Sequence, residues 1–136
     1  MRYLLDSNVF VDIFSARPEV TRRFTALSPE AILLSSIVAA ELRFGADKSA
    51  KRESNHLRLE RLIAEVTPVD FDLAAAAEYG RIRADLERRG TPIGPNDLLI
   101  AAHALSLGAV LVTDNVDEFG RVKGLMIENW RASNPT

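Results

Sequence analysis

Short apolar segments alternate with longer stretches of helical pattern along this chain, and this alternation limits the possible folds more than any other feature. The apolar segments are too short for helices and lack polar alternation, which is typical of strands buried on both faces of a parallel sheet. They lie at 3–5, 31–35, 66–69, 109–113 and 126–127. Strands that alternate with helices predict an α/β domain with right-handed crossovers.

The segments between the candidate strands carry helix signals. Helices are predicted over 8–14, 20–27, 36–45, 57–63, 73–89 and 98–107. Asp72 is a candidate cap for the long fifth helix, which Gly90 should end. Ile37, Ala40 and Phe44 share one face of the third helix. Leu57, Leu59, Leu62 and Ile63 form a similar apolar stripe on the fourth. Pro68 predicts an edge position for the third strand, because proline cannot donate to a sheet ladder.

Composition restricts the classes of function. The chain has 136 residues and 47% hydrophobic content, which suits one domain with a real core. It has no cysteine, so disulfides and thiolate metal sites are excluded. A net charge of −2 argues against broad nonspecific binding of nucleic acid. The sequence lacks a signal-peptide pattern and any apolar run of membrane-spanning length, so we expect a soluble cytoplasmic protein without a membrane partner.

Four acids lie where a candidate strand ends or a helix opens: Asp6, Glu41, Asp97 and Asp114, with Glu118 close to the last. Ligands of open α/β sheets bind beyond the carboxyl ends of the strands, so these acids are predicted to converge. Close carboxylates raise one another's pKa unless a cation lies among them. Mg²⁺ and Mn²⁺ prefer carboxylate and water oxygens and often hold substrate phosphates as well. The set therefore indicates metal-dependent hydrolysis of a phosphodiester.

Each acid also has a structural explanation. Asp6 and Asp97 could each be only a helix cap, and the Asp-Asn pair at Asp114 could be only a turn. Glu41 is harder to explain in this way, because a capping box on Ser36 would place its acid at Ala39. Glu41 also lies among apolar residues and needs a partner. The occurrence of all four acids at such positions favours a functional site over four separate caps and turns.

The two histidines are not assigned to catalysis. His103 lies within an apolar helix and is predicted to be a packed, hydrogen-bonded core residue, whereas His56 lies in a polar stretch and is predicted to be solvated. The sequence also lacks the phosphate-binding loop, the dinucleotide-binding glycines, the zinc-protease helix motif and the nucleophile-elbow motif.

Several stretches together resemble the PIN-domain ribonucleases, and specifically the VapC-type toxins of bacterial toxin–antitoxin pairs. The resemblance spans essentially the whole chain. Its motifs, in order, are LDSN at 5–8, AELRFGA at 40–46, IGPNDLLIAAHA at 93–104 and LVTDN at 111–115, followed by Glu118-Phe119 and Glu128-Asn129-Trp130. Single motifs of this kind are weak, but their order and spacing together are specific.

The resemblance implies a PIN-like nuclease domain over 1–131, with a five-stranded parallel sheet in the order 3-2-1-4-5, flanked by helices. Residues 132–136 are expected to be a frayed tail. The resemblance also implies a Mg²⁺-dependent endoribonuclease, with Mn²⁺ as a substitute, in which Asp6 and Asp97 bind the metal. Glu41 is the third acid and Asp114 the fourth, and Ser7, Asn8, Asn115 and Glu118 are supporting residues. Asp114, Asn115 and Glu118 are the three candidates for the last acidic position.

The resemblance also implies partners. These are an RNA substrate, with a transfer RNA anticodon loop as the leading candidate, and a VapB-like antitoxin that inhibits the enzyme. A homodimer and a higher assembly with the antitoxin are expected as well.

Two other functions compete with this one. A phosphatase of the haloacid-dehalogenase type would use Asp6 as a nucleophile, but it needs a second acid where this chain has Asn8. A non-catalytic binding module would use the acids only to hold a basic partner, and would be expected to have a broken acidic set.

Overall fold

The computed structural model describes residues 1–132 and contains one parallel sheet of five strands. The strands are β1 (Tyr3–Leu5), β2 (Ile32–Ser35), β3 (Thr67–Val69), β4 (Val110–Val112) and β5 (Ile127–Glu128). They follow the order β3-β2-β1-β4-β5, and every pair is parallel. The α/β class and the predicted strand order are therefore confirmed.

Seven helices flank the sheet in the described residues: α1 (Ser7–Phe14), α2 (Pro18–Thr25), α3 (Ser36–Lys48), α4 (Arg52–Glu65), α5 (Leu73–Arg88), α6 (Pro95–Leu107) and the short α7 (Val116–Phe119). A 3₁₀ turn at Pro29–Ala31 precedes β2. The prediction started α6 three residues too late. Pro95 is the first residue of the helix, where its fixed φ suits the helix and its missing N–H costs nothing.

Strand β1 lies at the centre of the sheet, with β2 on one side and β4 on the other. Leu4 and Leu5 are completely buried. The backbone N–H of Asp6 donates to the carbonyl of Val112 (2.9 Å), which extends the ladder by one residue. The sheet therefore delivers Asp6 to the middle of its carboxyl edge.

The cap and edge predictions are also confirmed. Pro68 lies in β3, an edge strand whose one partner among residues 1–132 is β2. Asp72 caps α5 through a hydrogen bond from the Ala75 N–H to its Oδ1 (3.0 Å). Gly90 follows the helix with a φ of +69°, a conformation that glycine adopts without strain.

The apolar face of α3 is oriented differently from the sequence pattern. On α3, Ala40 is exposed and the Phe44 side chain is 67% exposed, whereas Val38 and Ala46 are buried. The core therefore contacts the face of Val38, Leu42 and Ala46, whose i, i+4, i+8 spacing is as helical as the i, i+3, i+7 spacing of the Ile37 stripe. On α4, Leu59 and Leu62 of the predicted stripe are buried and Ile63 packs against the core, and of these four residues only Leu57 is exposed. Spacing identifies a helix but does not decide which of two apolar faces packs inward.

The domain boundary predicted at 131 stays a prediction. Trp130 is buried, with its ring centroid 5.9 Å from that of Tyr3, so the chain is packed up to that point. Ala132 donates its N–H to the carbonyl of Asn129 (3.4 Å), and the rest of the predicted tail, 133–136, lies outside the described residues. Over residues 1–132, none of the helices has the length and apolar character needed to cross a bilayer.

Candidate active site

The predicted acids lie together at the carboxyl edge of the sheet. Asp6 follows β1, Asp114 lies just after β4, and Glu41, Asp97 and Glu118 lie on α3, α6 and α7. Their charges act on one another. Glu41 and Asp114 both raise the pKa of Asp6, while Glu118, Asp6 and Glu41 raise the pKa of Asp97. The fold therefore builds one anionic cluster from five separate elements.

Asp6 both caps a helix and belongs to this cluster. Its side chain is nearly buried, and Oδ1 accepts the N–H of Ser7 (2.8 Å) at the start of α1. Oδ2 accepts the hydroxyl of Thr113 (2.9 Å). Burial is the main cause that raises the pKa of Asp6, and these two hydrogen bonds oppose it. The capping and functional explanations of Asp6 are thus compatible.

Glu41 has the polar partners that its apolar neighbourhood requires. The hydroxyl of Ser7 donates to its Oε1 (2.5 Å), and the side-chain amide of Asn96 donates to its Oε2 (3.3 Å). Ser7 therefore connects two acids, through its N–H to Asp6 and through its hydroxyl to Glu41. This places Ser7 as a supporting residue in the geometry of the cluster.

Asp97 and Glu118 form a second pair, and Asp97 is not a helix cap. The N-cap of α6 is Gly94, which has no capping side chain, and Asp97 lies in the first helical turn. Burial, the charge of Glu118 and a hydrogen bond to Glu118 raise the pKa of Asp97 to about 7. Glu118 accepts the N–H of Gly94 (2.5 Å) and the amide of Asn115 (3.0 Å), and these bonds lower its pKa.

Thr113, Asp114 and Asn115, in the turn after β4, make different hydrogen bonds. The Thr113 hydroxyl, and not the Asp114 carboxylate, accepts the N–H of Asn115 (3.1 Å), so Thr113 makes the turn bond. Oδ2 of Asp114 accepts a hydrogen bond from Arg131 (2.8 Å). Oδ1 of Asp114 is buried and has no hydrogen-bond partner among residues 1–132. The three candidates for the last acidic position therefore differ in their contacts. Asn115 donates a hydrogen bond to Glu118, and Asp114 pairs with Arg131.

Two clefts open from the cluster, one on each side of Glu41. The first, of about 420 Å³, lies between α1, α3 and α4, and its lining includes Ser7, Asn8, Phe14, Leu42 and Arg58. The second, of about 460 Å³, lies between α3 and α6 and is lined by Ile37, Ala40, Glu41, Phe44, Asn96 and Leu99. Asn8 is thus placed on a wall beside the acids.

Sequence reasoning missed four side chains that contact the acids or their partners: Thr113, Asn96, Asp12 and Arg131. Asp12 of α1 is 7% exposed and forms an ion pair with Arg131. An acid between Val11 and Ile13 was a usable signal, because a buried carboxylate needs a partner. Arg131, close to the end of the chain, gave no such signal.

The two histidines behave differently. His103 is a buried core residue whose Nδ1 is hydrogen-bonded to the Ser35 hydroxyl (2.8 Å), which confirms the prediction. The prediction of a solvated His56 is wrong. Its ring is half-buried, with Nδ1 3.0 Å from Arg43 and Nε2 2.8 Å from Asp47. The polar stretch that contains His56 lies in α4, which packs against α3.

The donor chemistry of the cluster fits a hard divalent cation. No group of three carboxylates or imidazoles in residues 1–132 is arranged around one point, since Glu41 and Glu118 are turned toward hydrogen-bond donors. Asp6 and Asp97 remain as a two-carboxylate set whose pKa values are both raised. Mg²⁺ commonly takes one or two carboxylates and keeps several waters.

The chain is similar to known proteins over most of its length. The model of the PIN domain family matches residues 3–125. The tRNA(fMet)-specific endonuclease VapC of Salmonella typhimurium is 41% identical over 130 residues, which cover 96% of this chain and 98% of the relative. Ribonuclease VapC2 of Rickettsia felis is 40% identical over 132 residues, with the same coverage.

Among solved structures, the DNA-bound VapBC of Salmonella typhimurium is similar to this chain, with a TM-score of 0.90 and 40% identity. That match covers 96% of this chain and 98% of the solved chain.

Proposed function

Since the chain belongs to the PIN-domain family and, within it, to the VapC ribonucleases, we propose that it is the toxin of a type II toxin–antitoxin pair, an endoribonuclease that hydrolyses RNA phosphodiester bonds. PIN-domain nucleases generally depend on a divalent metal, and Mg²⁺, with Mn²⁺ as a substitute, is the proposed ion here. The single observation that carries the proposal is the convergence of Asp6, Glu41 and Asp97 at one edge of the sheet.

In this proposal Asp6 and Asp97 hold the cation, and Glu41 and Asp114 complete the catalytic acids. A divalent ion at such a site lowers the pKa of water and neutralises charge on a phosphate. Ser7 keeps the Glu41 carboxylate in place, and Thr113 does the same for Asp6. Asn115 and Gly94 hold Glu118 next to Asp97, where the charge of Glu118 helps to raise the pKa of Asp97.

Asp97 can carry a proton when the cation site is empty. With a pKa of about 7, Asp97 exchanges its proton near neutral pH when no cation is bound. Glu118 is the adjacent acceptor, because its own pKa is lowered by Gly94 and Asn115. The pair can therefore hold one proton until a cation replaces it.

A structured RNA is the proposed substrate, with a transfer RNA anticodon loop as the leading candidate. The support is the Salmonella typhimurium relative, which is named for tRNA(fMet). The clefts on either side of Glu41 give an RNA strand two directions in which to leave the acids. The place of action is then the cytoplasm, where such RNA is found.

The proposed protein partner is a VapB-like antitoxin, supported by the likeness to VapBC complexes. A homodimer and a higher assembly with the antitoxin are proposed on the same basis. The exposed Phe44 beside Ala40 provides apolar surface for such contacts. The haloacid-dehalogenase alternative loses its basis, since the chain belongs to the PIN-domain family.

The test is cleavage of cellular RNA by purified protein with Mg²⁺, followed by mapping of the new 5′ ends. We expect one dominant cut with wild type, and none with Asp6→Asn or Asp97→Asn, whose circular dichroism should match wild type. Asp117→Asn, an exposed acid next to Glu118, is the matched control and should cut normally. Wild-type cleavage by both site variants would refute the assignment. Cation binding without any RNA cleavage would instead favour the non-catalytic binding module.

A further inference from the structure

One arginine joins the end of the chain to the anionic cluster. The guanidinium of Arg131 donates to both carboxylate oxygens of Asp12, from Nε to Oδ2 (2.7 Å) and from Nη2 to Oδ1 (3.0 Å). Its remaining amino group, Nη1, donates to Oδ2 of Asp114 (2.8 Å). The planar fork of arginine suits such bidentate binding of a carboxylate. One guanidinium thus bridges α1 and the turn after β4.

The backbone that carries Arg131 is well anchored. Trp130 is 2% exposed, and its indole N–H donates to Oε1 of Glu128 (3.1 Å), the last residue of β5. The N–H of Arg131 itself donates to Oδ1 of Asn129 (3.0 Å). Asp12 is almost as buried as Trp130, and Arg131 makes the short bonds to its carboxylate, whereas Nη1 of Arg17 lies 3.9 Å from Oδ1. The guanidinium therefore has a defined position and is not a free surface arm.

This position matters because of the charges nearby. Asp114 raises the pKa of Asp6, so the two carboxylates act on each other. In residues 1–132, Arg131 is the one cation that donates a hydrogen bond to any of the five acids Asp6, Glu41, Asp97, Asp114 and Glu118. Removing either Arg131 or Asp114 would change the charge of the cluster by one unit, in opposite directions.

We propose that Arg131, held by Asp12, is a positioning residue that fixes Asp114 as an ion-paired outer acid of the cluster and thereby sets the affinity of the inner acids for a divalent cation. The proposal rests on the proposed function for the presence of the cation site. In it, Asp114 acts on the site through its charge, while Arg131 prevents Asp114 from turning toward Asp6.

The experiment measures Mn²⁺ affinity by titration calorimetry for four proteins: wild type, Arg131→Gln, Asp114→Asn and the double variant. Arg131→Gln should bind Mn²⁺ about fivefold more tightly, and Asp114→Asn about fivefold more weakly, the scale of one unit charge acting on a divalent ion through water. The double variant should return close to wild type. Arg81→Gln is the matched control, since it removes an arginine from an exposed ion pair with Glu78 and should change nothing.

Opposite shifts of the two single variants support the proposal, because a merely structural role would weaken binding in both. Equal affinities of Arg131→Gln and Arg81→Gln would overturn it, and so would a loss of a hundredfold or more in Asp114→Asn, which would make Asp114 a direct ligand. If Arg131→Gln does not fold, Asp114→Asn decides alone, since it leaves the Arg131–Asp12 pair intact. Wild type that binds Mn²⁺ but cleaves no RNA would remove the proposed function and leave this inference standing.

Discussion

The carboxyl groups of Asp97 and Glu118 both lie beside Gly94, and their pKa values shift in opposite directions. The pKa of Asp97 is raised to about 7, mainly by burial and by the charge of Glu118. The pKa of Glu118 is lowered, mainly by the N–H of Gly94 and the amide of Asn115. Without a cation, this pair retains one proton in the folded protein at pH values where the unfolded chain has lost it.

The first prediction concerns stability against pH without divalent ions. A raised pKa stabilises the fold fully below the unfolded value of 3.8, and that contribution is lost as pH rises through about 7. Wild type should therefore lose stability relative to Asp97→Asn between pH 5 and pH 8. Solvent screening at this partly exposed site limits the difference to about 2 kcal/mol. Urea unfolding in EDTA measures it, and a constant difference across this range would contradict the shifted pKa.

The second prediction concerns Ser7. Ser7→Ala removes the hydroxyl that holds Oε1 of Glu41, so RNA cleavage should fall about tenfold, as expected for loss of a group that orients a metal-site acid. Ser7→Thr keeps a hydroxyl and is the matched control, with activity close to wild type. Steady-state cleavage rates and circular dichroism decide the matter. Equal activity of the alanine and threonine variants would show that this hydrogen bond has no catalytic consequence.

The third prediction concerns Thr113. Thr113→Val preserves shape but leaves Oδ2 of Asp6 without its hydroxyl donor, so the pKa of Asp6 should rise further. We expect about tenfold weaker Mn²⁺ binding at pH 6.5 and a smaller deficit at pH 8.5, because a raised pKa lets protons compete more strongly with the cation for Asp6 at the lower pH. Thr113→Ser should behave like wild type at both pH values. Calorimetric titration at the two pH values makes the comparison, and a pH-independent loss would point to simple distortion of the turn.

The fourth prediction uses the buried His103. Burial lowers the pKa of His103 below its usual 6.5, so the stability it provides is present above that value and is lost as pH falls toward the folded pKa. The loss of unfolding free energy between pH 7.5 and pH 5 should therefore be smaller in His103→Gln than in wild type. This is the opposite sign to the Asp97 effect. Urea unfolding at both pH values tests it, and equal losses would exclude His103 as the titrating group.

Much of the fold followed from local patterns. The strands of the sheet interior are short apolar runs, Pro68 marked an edge, and Asp72 and Gly90 marked the ends of α5. These signals depend on backbone hydrogen bonding and burial near each residue. The inward face of α3 could not be predicted in this way, because Val38 and Ile37 each begin an apolar stripe and only the packed neighbours select one.

The site was predictable to the extent that acids follow strands. Asp6, Glu41 and Asp97 could be named because position relative to a strand or helix limits where a side chain lies. The links among them could not, since the Ser7 hydroxyl on Glu41 and the Arg131 fork on Asp12 join residues 34 and 119 positions apart. Such contacts depend on side-chain orientation in the folded molecule. His56 was misplaced for the same reason, because its partner Arg43 lies on the preceding helix.

The central place of β1 has a consequence for local opening of the domain. Asp6 follows a strand paired on both sides, whereas β3 and β5 each have one paired side. Partial unfolding that begins at either rim would break the outer ladders before it reaches the ladder that ends at Asp6. Amide hydrogen exchange should therefore be slowest at Leu4, Leu5 and Asp6. The acid at the base of the site would then be among the last parts of the molecule to lose its native geometry.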